Sequence, residues 1–164
     1  MSNKLRVVLV TVSLVMLLLV TGCAGGFLGL DVAEVDDTAV TVPMQYLQGP
    51  EEGPMYNVSL NVPSDWVGSF RIRNVGNVAY FEYTGDTAQP ALVFTIDALS
   101  NEQYWAQSGS YPGSYQNIIN QDDTYFIYHL PIDTYYSGLS ESQLATLSAE
   151  VPAVIESFEV ELVQ

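Results

Sequence analysis

Apolar and polar residues alternate from Tyr56 onward, and this period of two restricts the fold more than any other feature of the chain. Four apolar residues would lie on one side of an extended backbone: Tyr56, Val58, Leu60 and Val62. The polar residues between them would lie on the other side, which is typical of a half-buried β-strand. Pro63 has no amide hydrogen to donate, so we expect the strand to end there.

Two more alternating segments flank Asn74-Val75-Gly76-Asn77, which we interpret as a hairpin loop. If Asn74 faces Asn77, the register pairs Ile72 with Ala79 and Phe70 with Phe81. One face would be apolar, with Phe70, Ile72, Ala79, Phe81 and Tyr83, and the other would carry Arg71, Arg73 and Glu82. A slip by one residue would mix the two sets, so the pattern predicts an antiparallel pair.

Further along the chain we predict two more strands and one helical turn. Residues 91–97 alternate, and residues 124–130 are rich in β-favouring side chains. One side of the first segment would carry Leu92, Phe94 and Ile96. Residues 101–107 are interpreted as a single helical turn.

The last predicted element is a helix, and it defines the expected fold class. Ser140 and Gln143 have the spacing of a capping box, and Pro152 predicts a kink or a second helix start. Six apolar residues would share one face: Leu144, Leu147, Val151, Val154, Ile155 and Phe158. This face needs an apolar surface to cover, so we predict an α+β fold in which a C-terminal helix covers an antiparallel β-sheet.

The first 22 residues have the composition of a targeting segment. Lys4 and Arg6 precede an uncharged, almost wholly apolar run over residues 7–20, which is too short to span a bilayer but typical of a signal peptide. The run ends in Val20-Thr21-Gly22-Cys23, which resembles the lipobox of bacterial lipoproteins. The resemblance implies that Cys23, the only cysteine, receives a diacylglycerol and becomes the mature N-terminus. The alternative is an ordinary secretory signal with an incidental cysteine.

The lipobox implies a location and a charge balance. It places the protein on the extracytoplasmic face of the cell membrane, and Ala24 is compatible with outer-membrane sorting in a host that has one. All 19 acidic residues follow Cys23, and only Arg71 and Arg73 balance them, so the mature net charge is 2 − 19 = −17. Nucleic acid is excluded as a partner because phosphate binding needs Lys and Arg. Membrane attachment would depend on the acyl chains.

Composition divides the chain into three parts. Residues 1–22 are the predicted signal peptide, residues 23–54 a tether, and residues 55–164 an α+β extracytoplasmic domain. Residues 23–54 contain many turn formers and paired carboxylates, as linkers do. Within them, residues 39–47 could form a short edge strand, because Pro43 excludes a central position.

The predicted domain resembles a known family of small extracytoplasmic bacterial domains. These begin with an amphipathic strand followed by Pro, one or two polar residues and Trp, here Pro63-Ser64-Asp65-Trp66, and end in a helix with a Ser-Phe pair, here Ser157-Phe158. They are similar to the PsbP-like α/β sandwich. The resemblance implies an antiparallel sheet with packed helices and an accessory or binding role, and it supplies no active-site residues.

Candidate chemistry in this sequence is sparse. His129 is the only histidine, with Asp133 four residues later, so a Ser-His-Asp mechanism would have to use it. Three carboxylate pairs, Asp36-Asp37, Glu51-Glu52 and Asp122-Asp123, lack the spacing of a calcium loop. We predict no metal site and no cofactor.

Four aromatic residues among small polar ones are the predicted binding residues: Tyr104, Trp105, Tyr111 and Tyr115. Exposed aromatic rings can stack on sugars or contact a protein. The alternative is that Trp105 and one or two tyrosines complete the core, as we expect for Trp66. For Arg71 and Arg73 we expect charge pairing with Glu82, the alternative being an anionic ligand. The predicted function is a non-enzymatic accessory or binding module of the cell envelope with a protein or envelope partner; the alternative is a surface hydrolase using His129.

Overall fold

Antiparallel β-strands make up most of the computed structural model, which describes residues 30–107 and 115–163. In chain order the strands are β1 (Leu30–Glu34), β2 (Ala39–Met44), β3 (Leu47–Gln48), β4 (Glu51–Glu52), β5 (Tyr56–Asn61), β6 (Phe70–Val75), β7 (Val78–Tyr83), β8 (Ala91–Ser100), β9 (Tyr115–Gln121), β10 (Thr124–His129) and β11 (Glu159–Leu162). A six-stranded sheet has the order β1-β6-β7-β8-β10-β9, a three-stranded sheet the order β11-β5-β2, and β3 and β4 form a short ribbon. Every described pairing is antiparallel.

Three helices complete the described part of the chain. They are α1 (Asn101–Gln107), α2 (Thr134–Ser137) and α3 (Glu141–Glu156). None of these three has the length and apolar character that a membrane span requires. The combination of antiparallel sheets with a few helices confirms the predicted α+β fold class. The last described element is strand β11 rather than the helix that we predicted.

The six-stranded and three-stranded sheets enclose one apolar core. In β5 the predicted alternation is confirmed, since Tyr56, Val58 and Leu60 are buried and the residues between them are not. The Tyr56 ring meets Phe126 of the larger sheet edge-on at 5.6 Å. Its hydroxyl donates to Asp122 Oδ2 at 3.3 Å, and burial raises the pKa of this phenol. Tyr56 therefore joins the two sheets by both packing and hydrogen bonding.

The β6–β7 hairpin is confirmed, but its register differs from the predicted one by two residues. Ile72 lies opposite Phe81, and Val75 lies opposite Val78, so the turn contains only Gly76 and Asn77. Gly76 has a φ of +61°, and type II′ turns favour glycine at this first central position. Because side chains alternate with a period of two, a shift of two residues preserves both faces.

Strand β8 corrects one predicted orientation. Phe81 pairs with Phe94, whereas the next residue of β7, Glu82, pairs with Leu92, so Val93 is an extra residue in a β-bulge. The bulge reverses the side-chain alternation. Phe94 and Ile96 are buried in the core as predicted, but Leu92 lies on the opposite face, with Glu82.

The prediction of a tether over residues 23–54 is wrong for residues 30–54. β1 pairs with β6, and β2 pairs with β5 as an edge strand, as its proline predicted. Val40, Val42 and Met44 of β2 are buried, and Val35 is buried after β1. The prediction failed because short strands separated by turns have the same amino-acid composition as a linker. Residues 23–29 lie outside the described part.

Helix α3 packs against the core beside the three-stranded sheet. Ser140 and Gln143 form the predicted capping box, and the helix continues through Pro152. Val151 and Val154 are buried, and Leu144, Leu147 and Ile155 are partly buried against the core. Phe158, which we predicted on the helix face, lies beyond the helix end at Glu156 and is also partly buried against the core. Trp66 is a core residue, as expected: it is 1% exposed and stacks on Phe70 at 4.1 Å.

Candidate functional site

One face of the six-stranded sheet is turned away from the core, and we call it the outer face. Residues paired across neighbouring strands project to the same side of a sheet. The observed registers place one such row across all six strands: Val32, Arg73, Tyr80, Thr95, His129 and Tyr115. The outer face therefore brings together the only two arginines of the described chain and its only histidine.

At one end of the outer face, two arginines hold a buried glutamate. Arg71 Nε donates to Glu82 Oε2 at 2.8 Å, and Arg73 donates to Oε1 from Nε at 3.0 Å and from Nη2 at 2.6 Å. Burial by itself would raise the pKa of the Glu82 carboxyl, but the hydrogen bonds and charges of both guanidinium groups outweigh it and lower the pKa. The expected charge pairing is thus confirmed.

Arg73 also contacts an aromatic ring on the next strand. Its guanidinium carbon lies 4.1 Å from the centre of the Tyr80 ring, a cation–π distance. Arg73 is therefore held on two sides, by Glu82 and by Tyr80. Its side chain is still 29% exposed, and that of Arg71 is 27% exposed.

His129 lies further along the same row and is paired with a buried aspartate. Its Nε2 is 3.4 Å from Asp97 Oδ2, and both side chains are largely buried. Asp133, which follows His129 by four residues and was the expected carboxylate of a Ser-His-Asp mechanism, has another role. It caps α2 by accepting hydrogen bonds from the backbone of Tyr135 and Tyr136.

The far end of the outer face carries an aromatic cluster under and beside α1. Tyr104 stacks on Tyr125 at 4.2 Å, and its edge contacts are with Trp105 at 5.2 Å and Tyr115 at 6.1 Å. Three of the four predicted binding residues thus come together. Tyr111 lies outside the described residues. Tyr125, which the sequence analysis did not select, completes the cluster because its strand β10 lies next to β9.

Exposure differs sharply within this aromatic cluster. Trp105 is 62% exposed, whereas Tyr104 and Tyr115 are half-buried. Trp105 Nε1 donates to Asn101 Oδ1 at 2.9 Å, and Tyr104 Oη accepts from Asn117 Nδ2 at 2.9 Å. The alternative that Trp105 completes the core is therefore wrong.

The segment first interpreted as a tether holds α1 in place. Gln103 Nε2 donates to the Leu47 carbonyl at 2.6 Å, and Ser100 Oγ donates to Gln48 Oε1 at 2.6 Å. Below α1, Leu99 and Ile127 are buried on the outer face, apart from the core cluster between the sheets. The helix that carries Tyr104 and Trp105, together with the residue before it, is thus attached to β3 by two hydrogen bonds.

A second exposed aromatic group was missed from the sequence. Tyr135 is 87% exposed and Tyr136 is 62% exposed; their rings meet at 5.3 Å, and Ile132 nearby is 59% exposed. The buried Ser137 anchors this turn by donating to the Leu92 carbonyl at 2.6 Å. The available signal was a Tyr-Tyr pair between a proline and a glycine, outside any alternating strand.

A groove of about 320 Å³ lies between α3 and the hairpin β6–β7. Its lining is mixed, with Asp65, Ser69 and Thr146 among the polar residues and Tyr83 and Leu147 among the apolar ones. In the described part of the chain, no three His, Cys, Asp or Glu side chains come close enough to share a metal ion.

Cys23, the predicted lipidation site, lies outside the described residues. Comparison of the chain with known protein families, with curated proteins and with solved structures finds no match. The outer face therefore has to be interpreted from its own chemistry.

Proposed function

We propose that this protein is a lipoprotein anchored through Cys23 on the extracytoplasmic face of the cell membrane, and that its domain is a non-enzymatic binding module of the cell envelope. The support for anchoring is the sequence of residues 1–23, with its basic start, apolar run and lipobox. The support for binding is the outer face. For the finer fold we propose a PsbP-like α/β sandwich, on the strength of Trp66 and the Ser157-Phe158 pair.

The exposure of Trp105 carries the binding proposal. A tryptophan side chain that is 62% exposed leaves a large apolar surface in water, and this one is fixed by Asn101 and Tyr104. Fixed aromatic residues bind at a low cost in side-chain entropy, and tryptophan and tyrosine dominate binding hot spots. The contact that we propose consists of Trp105, Tyr104 and Tyr115.

Charge restricts the partner. The mature chain would carry 2 − 19 = −17, so polyanions are repelled at long range. A neutral or basic protein or envelope component is the expected partner. Attraction of a basic partner would weaken as salt shortens the Debye length below about 10 Å.

The test compares two exposed aromatic residues on the two short helices α1 and α2, which lie near opposite ends of β8. Trp105→Ala removes the proposed contact on α1, which follows Ser100. Tyr135→Ala is the matched control, since α2 is anchored at Leu92 near the start of β8. We expect the Trp105 variant to fold normally and to lose partners from detergent-solubilised membranes that the Tyr135 variant retains. Loss in the Tyr135 variant alone would place the binding surface at α2 instead.

The second candidate function is a surface hydrolase, and the His129–Asp97 pair is the observation that favours it. An aspartate that orients a histidine is the arrangement that general-base catalysis uses. The His129→Ala variant tests this candidate. Loss of hydrolysis of an ester substrate, with partner binding retained, would support the hydrolase over the binding module.

A further inference from the structure

The arginine end of the outer face holds both arginines of the described residues in a strongly acidic chain. Arg71 and Arg73 share this face with two carboxylates, the buried Glu82 and the exposed Glu34 of β1, so the four charges sum to 2 − 2 = 0, while all other formally charged side chains of the described residues are carboxylates. Among the described residues, this is therefore the one place where an anionic group can bind to arginine. This place adjoins the row that leads to the aromatic cluster.

Both arginines retain hydrogen-bonding capacity. A guanidinium has five N–H donors in a planar fork. Glu82 uses Nε of Arg71, and Nε and Nη2 of Arg73. The terminal nitrogens of Arg71 and Nη1 of Arg73 make no hydrogen bond with the residues that the structure describes. Because both side chains are more than a quarter exposed, a ligand can reach these donors.

The two guanidinium groups are also held in place before any ligand arrives. Glu82 is 8% exposed and bonds both of them, and the Tyr80 ring supports Arg73. Glu34 lies opposite Arg71 in the β1–β6 register, but it is exposed and forms no ion pair with it. A preformed pair of donors loses little conformational entropy on binding.

We propose that Arg71 and Arg73 bind the carboxylate of an otherwise uncharged ligand, whose body lies along the outer-face row toward the aromatic cluster. The planar fork of arginine matches a carboxylate. Each further negative charge is disfavoured in a mature chain of net 2 − 19 = −17, so a ligand with a single carboxylate is favoured over a dianion. Four strand spacings of about 4.8 Å separate Arg73 from Tyr115, so a ligand of about 19 Å would reach both ends. This inference rests on the proposed binding function and assigns its ligand chemistry.

The test follows the Nε–Hε signals of Arg71 and Arg73 by NMR in the full-length chain in detergent. The probes are glucuronate with glucose as its neutral counterpart, and glycyl-tyrosine with its amide. We expect both signals to shift with a carboxylate and not with its neutral counterpart. The tighter of the two carboxylates identifies a sugar acid or a peptide terminus as the source.

Two variants give the test its specificity. Arg71→Gln should weaken carboxylate binding roughly tenfold or more, the equivalent of one charge-assisted hydrogen bond. Arg71→Lys should retain part of the affinity, because it keeps the charge and loses the fork. Equal shifts with glucose and glucuronate, unchanged affinity in Arg71→Gln, or tighter binding of inorganic phosphate would each overturn the proposal.

The outcome is separable from that of the proposed function. If no carboxylate binds but Trp105→Ala still loses partners, the carboxylate site is refuted and the binding module stands. If a carboxylate binds through Arg71 and Trp105→Ala loses no partner, the carboxylate site stands and the proposed aromatic contact is refuted.

Discussion

The indole Nε1 of Trp66 donates a hydrogen bond to the Glu150 carboxylate at 2.6 Å, and this bond joins the turn after β5 to α3. Trp66 is fully buried between Phe70 and Phe94, so its N–H has no access to water. A buried indole N–H without an acceptor costs the desolvation energy of the group. Glu150 therefore fixes the position of α3 on the core through a polar contact. The apolar face of α3 alone would not specify that position.

Glu150→Ala should lower the free energy of unfolding by about 1–3 kcal/mol, because the Trp66 N–H is left buried without its acceptor. Urea unfolding followed by tryptophan fluorescence measures the change. Glu156→Ala is the control, since Glu156 is exposed on the same helix. Equal stability of the two variants would show that the bond contributes nothing.

Met44→Ala tests the assignment of residues 30–54 to the folded domain. Met44 is 3% exposed in β2, and truncation of a buried methionine costs about 2–5 kcal/mol. We expect a loss of this size in urea unfolding, and a much smaller one for Thr41→Ala, which is exposed in the same strand. A Met44 variant as stable as the wild type would restore the tether interpretation.

Glu82→Gln should reveal a pH-dependent contribution to stability. The pKa of Glu82 is lower in the folded state than its ordinary value of 4.5, so its carboxylate stabilises the fold above about pH 4.5. That contribution is lost as the pH falls through the lower, folded-state pKa. We expect the wild type to be more stable than the variant by about 1–3 kcal/mol at pH 7, with a difference that shrinks below pH 4.5.

Thermal unfolding from pH 7 to pH 3 measures this difference between wild type and the Glu82→Gln variant. Acid also relieves the repulsion among the other carboxylates, but that effect occurs in both proteins and cancels. Glu34→Gln on β1 is the control, because it removes an exposed carboxylate from the same face. A difference that stays constant down to pH 3 would contradict the role assigned to the two arginines.

Cys23→Ser should abolish lipidation and leave the precursor uncleaved, since the lipobox implies modification of the sulfur before cleavage. Cells grown with a clickable fatty acid report the label, and the mobility of the protein on a gel reports cleavage. Ser13→Ala, within the apolar run, is the control and should be labelled normally. Equal labelling of wild type and the Cys23 variant would refute the anchor.

Local patterns in the sequence were sufficient to predict some of the elements but not all of them. The alternation around Val58 and the Ser140–Gln143 capping box depend on residues close together in the chain, and both are confirmed. The hairpin faces were also correct although the register was not, because an even shift preserves the alternation. Trp105 is exposed, but this exposure could not be derived from its neighbours in the sequence, and its role in binding stays a prediction.

The sequence by itself determined which residues alternate, where α3 begins, and that Arg71, Arg73 and Glu82 share a face. Only the tertiary structure decided how strands far apart in the chain meet. The extra residue at Val93 turned Leu92 outward, and β1 and β2 joined the sheets despite their linker-like composition. The row from Arg73 to Tyr115 exists because four pairings align five strands. Such contacts depend on packing energy across the whole domain, and no local pattern of residues encodes it.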